Sequence, residues 1–124
     1  MDKKYLSKII ATDNQGLQVI SACCSGAEIK VADIKYLEKN KVFLLSLKRT
    51  KVETVNKDKK IMSVCKFEFV DGVKSKNIKQ IDLEQKLKLI GIDYLKNNDN
   101  YEINLIFSNN AYITLSTEII EVTL

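Results

Sequence analysis

Alternation is the feature of this sequence that most restricts what it can fold into. From Val42 onward apolar side chains recur at every second position, as in Phe43, Leu45 and Leu47, in Cys65, Phe67 and Phe69, and in Tyr101, Ile103, Leu105 and Phe107. Successive side chains of a strand point to opposite faces, so this period of two describes half-buried β-strands stacked into a sheet. One stretch breaks the pattern. Between Asp13 and Ser25, Leu17, Ile20 and Cys24 follow helical spacing beside Val19 and Cys23, Asp13 is suited to cap the first-turn amides, and Gly26 offers a left-handed stop. The sequence therefore predicts one short helix near the amino end and strands almost everywhere else.

The strands can be placed from their turns. Tyr5 to Ala11 reads as a strand leading into the helix, Glu28 to Val31 as a short extended piece, and Asp33 to Leu37 as one arm of a hairpin. Glu38-Lys39-Asn40-Lys41 is its polar turn and Val42 to Lys51 its second arm, apolar on both faces and so central in the sheet. Lys51 to Lys60 reads as an exposed loop, Ile61 to Val70 as the next strand, and Asp71-Gly72 as a tight turn into Val73 to Lys76. Lys86 to Leu95 reads as a strand whose phase slips through a bulge near Gly91. Turns at Asn97 to Asn100 and Ser108 to Asn110 bound the next strand, Ala111 to Ser116 follows, and Glu118 to Leu124 is strand or short helix. The expected fold is α+β: a mostly antiparallel curved sheet or partly open barrel with one N-terminal helix packed on it, built on a core of Leu17, Ile20, Val31, Phe43, Leu45, Phe67, Phe69, Leu105, Phe107, Ile113 and Leu115.

A chain of 124 residues with 45% apolar and 29% charged residues has material for one modest core, and residues 1–124 read as a single domain. The absence of histidine removes imidazole bases, Ser-His and Cys-His nucleophiles and histidine-containing metal sites. Cys23, Cys24 and Cys65 include no C-x-x-C pair, and side chains adjacent on a helix diverge by about 100°, so small core residues are the better reading than a redox pair or soft-metal site. The four glycines form no phosphate-binding loop pattern. We therefore expect no catalytic residue, no cofactor and no metal. No apolar run reaches signal-peptide or membrane-spanning length, so the expected setting is a reducing cytoplasm without membrane contact.

Charge is distributed unevenly along the chain. Residues 1–38 balance, residues 39–60 carry an excess of +6, and residues 93–124 carry −4. Lys39, Lys41, Lys48, Arg49, Lys51, Lys57, Lys59 and Lys60 would form a basic patch if one hairpin and its loop carried them together. Such a patch suits a phosphate backbone, although it lacks the interleaved aromatic side chains that stack on bases, and solvated lysines in a Lys-rich chain are the simpler reading.

Six segments carry a resemblance. Ile10 to Ala22, with its Ala-x-Asp-x-x-Gly-Leu-x-Val-Ile-Ser-Ala run, then Asp33 to Leu37 and Phe43 to Arg49, together with the carboxyl-end stretches Ile103 to Phe107, Ala111 to Leu115 and Ile120 to Leu124, resemble a family of small alphaproteobacterial proteins that constitutes a domain of unknown function. That resemblance brings relatives and no activity. It singles out Asp33, Tyr36 and Arg49, polar positions of the family pattern within otherwise apolar segments, as the first places to look for a polar cluster; a buried salt bridge between Asp33 and Arg49 is the structural alternative. The functional expectation is a non-catalytic module that binds a protein partner or self-associates through a sheet edge or the helix end, with a nucleic-acid accessory role through the basic patch as the alternative.

Overall fold

The computed structural model describes residues 9–50 and 60–124. Its helix, α1 (Asn14–Cys24), begins where the sequence placed its cap: the Asp13 carboxylate accepts from the Gly16 amide at 2.8 Å. The described residues also form ten strands: β1 (Ile10–Ala11), β2 (Glu28–Lys30), β3 (Ile34–Leu37), β4 (Val42–Thr50), β5 (Lys60–Phe67), β6 (Val70–Lys76), β7 (Lys86–Asn97), β8 (Asn100–Phe107), β9 (Ala111–Thr117) and β10 (Val122–Thr123). Every pairing is antiparallel, and the order across the sheet is β1-β10-β5-β4-β2-β7-β8-β9-β6, with β3 added beside β4. This is the expected α+β architecture. The helix packs one face on the curved sheet, and inward side chains of all its main strands share one core with Leu17, Ile20 and Cys24 of the helix.

The hairpin of residues 34–50 forms as its turn chemistry dictates. Glu38–Asn40 make a 3₁₀ turn, and Lys41 closes it in the left-handed region at φ 57°. Tyr36 pairs with Phe43 and Ile34 with Leu45, so all four point inward. Along the same edge of β4, the 3₁₀ turn Val31–Asp33 separates β3 from β2, which reaches across to β7 instead. The curl is incomplete here. The free edge of β3 faces the free edge of β6 across an opening, bridged at one end by the Tyr36 hydroxyl donating to the Val70 carbonyl at 2.9 Å. The Val70 amide donates to the Lys41 carbonyl at 2.8 Å, and Lys41 Nζ meets the Asp71 carboxylate at 2.9 Å.

Two local expectations are corrected. Asp71-Gly72 is not a turn: it is a bulge inside β6, where the register with β9 shifts between Val70 and Gly72. The chain turns earlier, at Glu68-Phe69, and Phe69 takes a left-handed φ of 59°. That reversal ends the phase of Cys65 and Phe67, so Phe69 is 41% exposed and Val70 takes the buried place. The other ten residues expected in the core are buried. Residues 118–124 resolve as the short strand β10, and the loop expected from Lys51 onward lies outside the described residues, as do the first residues of the expected Tyr5 to Ala11 strand.

The bulge expected near Gly91 is present. The register of β7 with β8 shifts between Leu89 and Gly91, which leaves Ile90 out of the ladder before pairing resumes at Ile92 and Leu105, and past Leu89 the other edge of β7 has run beyond the end of β2. Helix α1 supplies the replacement partners: Ser21 Oγ accepts from the Ile92 amide at 2.9 Å, and the Ser25 hydroxyl donates to the Ile90 carbonyl at 3.2 Å. The Gly26 amide then joins the Leu89 carbonyl at 2.7 Å. The bulge therefore fixes where the helix sits on the sheet.

Candidate functional site

The three polar positions singled out in the sequence are held apart. Tyr36 pairs with Phe43 near the start of β4, and Arg49 lies six residues further on, ~20 Å along the strand. Asp33 is in the 3₁₀ turn, half-buried, one residue before the Ile34–Leu45 pair, so the register also separates it from Arg49 by ~10 Å along the strand. Tyr36 belongs to the bridge across the opening, where burial and then the Glu38 and Asp71 carboxylates push its pKa up.

Arg49 follows Leu45 and Leu47 on the inward face of β4 and is only 5% exposed. Its Nε–H donates to Ser63 Oγ at 3.0 Å. Nearby, Cys24 at the end of α1 and Cys65 on β5 are both fully buried, and their thiols hydrogen-bond. That hydrogen bond and burial push the Cys65 thiol well above its usual pKa, while the positive charge of Arg49 pulls the other way. A thiol kept protonated is a poor nucleophile, so this is structural chemistry. Among the described residues no group of three or more His, Cys, Asp or Glu side chains is placed to hold a metal ion.

The expected basic patch is divided in the same way. Arg49 points into the core, Lys39 and Lys41 sit at the far turn, and Lys41 is engaged by Asp71, which raises its pKa. Lys51, Lys57 and Lys59 lie outside the described residues. Lys48 and Lys60 remain on the outer sheet face, and there they meet lysines that are remote in sequence. Cross-strand pairs share a face, so the register places Met62, Lys48, Glu28 and Lys88 in one row across β5, β4, β2 and β7. Flanking rows hold Lys35, Leu44 and Lys66 on one side and Lys30 with Lys86 on another. Val64 and Ser46 lie between the first two rows.

This face carries an apolar pair on β5 with lysines above, below and beside it. Met62 is 65% and Val64 51% exposed, next to each other on β5. Lys86 pairs with Glu28 at 3.6 Å, Lys30 with Glu84 at 3.6 Å and Lys66 with Glu68 at 3.3 Å. Among the described residues Lys35, Lys48, Lys60 and Lys88 have no carboxylate within ion-pair distance. Only the strand order brings these lysines, remote from one another in sequence, onto one face.

The fold and this surface define a class: a small α+β domain with a curved, open antiparallel sheet and one helix packed on it, without a metal cluster among its described residues and with a lysine-bearing sheet face. Residues 7–124 match the family described as protein of unknown function DUF2948, and the chain belongs to that family. No curated protein and no solved structure matches the chain. Among the described residues no helix is long and apolar enough to cross a membrane.

Proposed function

We propose that this domain is a non-catalytic docking module, and that the outer face of β5, β4, β2 and β7 seats an acidic protein surface. The observation that carries this reading is the pair of exposed apolar side chains, Met62 and Val64, set among Lys35, Lys48, Lys60, Lys66 and Lys88. Exposed apolar area supplies the burial that holds a protein partner, and neighbouring like charges steer a partner of opposite charge and disfavour others. The unbridged cysteines support a reducing cytoplasm as the place where this occurs.

A phosphate backbone would also answer the four lysines without carboxylate partners, and it is the second reading. It leaves Met62 and Val64 without a role, and no aromatic side chain stands in the described rows of this face for a base to stack on. The test is affinity capture from nuclease-treated lysate of the source cells, using wild type beside a Lys48→Glu, Met62→Ser double variant. An acidic partner recovered by wild type and lost with the variant is the expected result. A partner retained by the variant overturns the reading, and one lost on nuclease treatment transfers the face to nucleic acid.

A further inference from the structure

The opening between β3 and β6 leads into a cleft of about 280 Å³, at the small end of the range for ligand sites. Ile34 on one side and Val73 on the other form its walls, Phe43 and Ile113 its floor, and Ile78 and Leu83, from the segment between β6 and β7, its far end. Core side chains such as Phe43 and Ile113 are thus reachable from solvent here. That far end is anchored, because the Ala32 amide donates to the Leu83 carbonyl at 3.1 Å and the Val31 amide to the Gln85 carbonyl at 2.9 Å. The near end is the Tyr36–Val70 bridge. This is a bounded site and not a continuous groove.

Its chemistry is selective in a specific way. Although 29% of the chain is charged, no charged side chain among the described residues lines the cleft. A charged ligand would enter without a partner, which costs far more than the apolar contact returns. Polar atoms gather at one place: Gln80 Nε2 donates to Ser75 Oγ at 3.0 Å, which leaves the Ser75 hydroxyl hydrogen and the Gln80 carbonyl oxygen facing other partners. Tyr36 adds nothing to donate, since its hydroxyl hydrogen is committed to Val70.

We propose that this cleft binds a small uncharged molecule with an apolar, ring-sized body and one hydrogen-bonding group, the body against Ile34, Phe43, Val73 and Ile113 and the polar group at Ser75 and Gln80. The inference stands apart from the docking face, because core side chains form the floor of the cleft and the lysines are on the outer surface.

The test uses 1-naphthol and 1-naphthoate as probes in amide-resolved NMR titrations of the full chain. 1-Naphthol should shift the amides around Ile34, Val73, Ser75 and Gln80, and 1-naphthoate should bind at least about tenfold more weakly. Val73→Phe, which fills the cleft from an edge strand, should abolish these shifts. Gln80→Leu changes an exposed residue without threatening the fold, and it should weaken 1-naphthol about fivefold through loss of one hydrogen bond. Absence of binding, equal binding of the two probes, shifts centred elsewhere, or unchanged affinity in Gln80→Leu would each overturn the proposal.

Discussion

Adjacent residues on β4 illustrate how little a charge says before its face is known. Lys48 and Arg49 look equivalent in sequence, yet Lys48 stands on the outer surface and Arg49 is buried with its Nε–H on Ser63. Arg49→Ala removes that bond and leaves a void beneath β5, so it should cost about 2–3 kcal/mol in urea unfolding, whereas Lys48→Ala should stay within about 0.5 kcal/mol. Tyr36 makes a second case. Its raised pKa means that its hydroxyl remains protonated in the folded state at pH values where the unfolded chain has begun to lose the proton near 10. The stability it contributes is complete below that ordinary value and declines as pH rises through the folded one. Lys41, raised by Asp71, follows the same alkaline direction. The stability gap between wild type and Tyr36→Phe, measured by denaturant titration, should therefore be constant at neutral pH and shrink above about pH 10. The sequence showed that Tyr36 and Arg49 interrupt apolar segments; it could not show that the two lie near opposite ends of β4, because that depends on which residue of β3 meets which of β4.

Helix α1 was legible almost to the residue, since cap, periodicity and stop are all local signals. Its seating was not. Gly16 reads as an ordinary helix position that alanine would improve, but a Cβ there would lie 3.0 Å from the Ala11 Cα and 3.1 Å from its Cβ. Gly16→Ala should consequently destabilise the protein despite alanine's better helix propensity, and Asp13→Ala should cost about 1 kcal/mol through the lost cap. Thermal unfolding of both variants checks the pair, and a stabilised Gly16→Ala would show that α1 can move off β1. Gly91 differs, because a Cβ there meets only Ser21 Oγ at an ordinary 3.6 Å. Phe69 was misread for a related reason: alternation says which residues share a face only while the strand continues, and a left-handed residue ends it without any glycine to announce the turn.

At the scale of the molecule, what the sequence carried was the inventory of strands, and what it withheld was their order. The outer lysine face draws on β2, β3, β4, β5 and β7, and the cleft draws on β3, β4, β6 and β9 with the segment after β6; neither is a motif along the chain. The same non-local order has a consequence in time. Strand β10 lies between β1 and β5, with the Ile9 and Leu124 backbones exchanging hydrogen bonds at 3.2 and 2.8 Å, so β1 has no sheet neighbour until residues 122–124 exist. Strand β6, likewise, must wait through two intervening strands for β9. A ribosome releasing this chain would deliver most of the sheet before its outer strands could pair, and Lys66 and Phe67 of β5 would lack their strand partners until residues 122 and 123 emerged. Folding of such a topology belongs to the slow, cooperative class in which long-range closure sets the rate. With no proline in the chain, prolyl isomerisation adds no further delay once that closure begins.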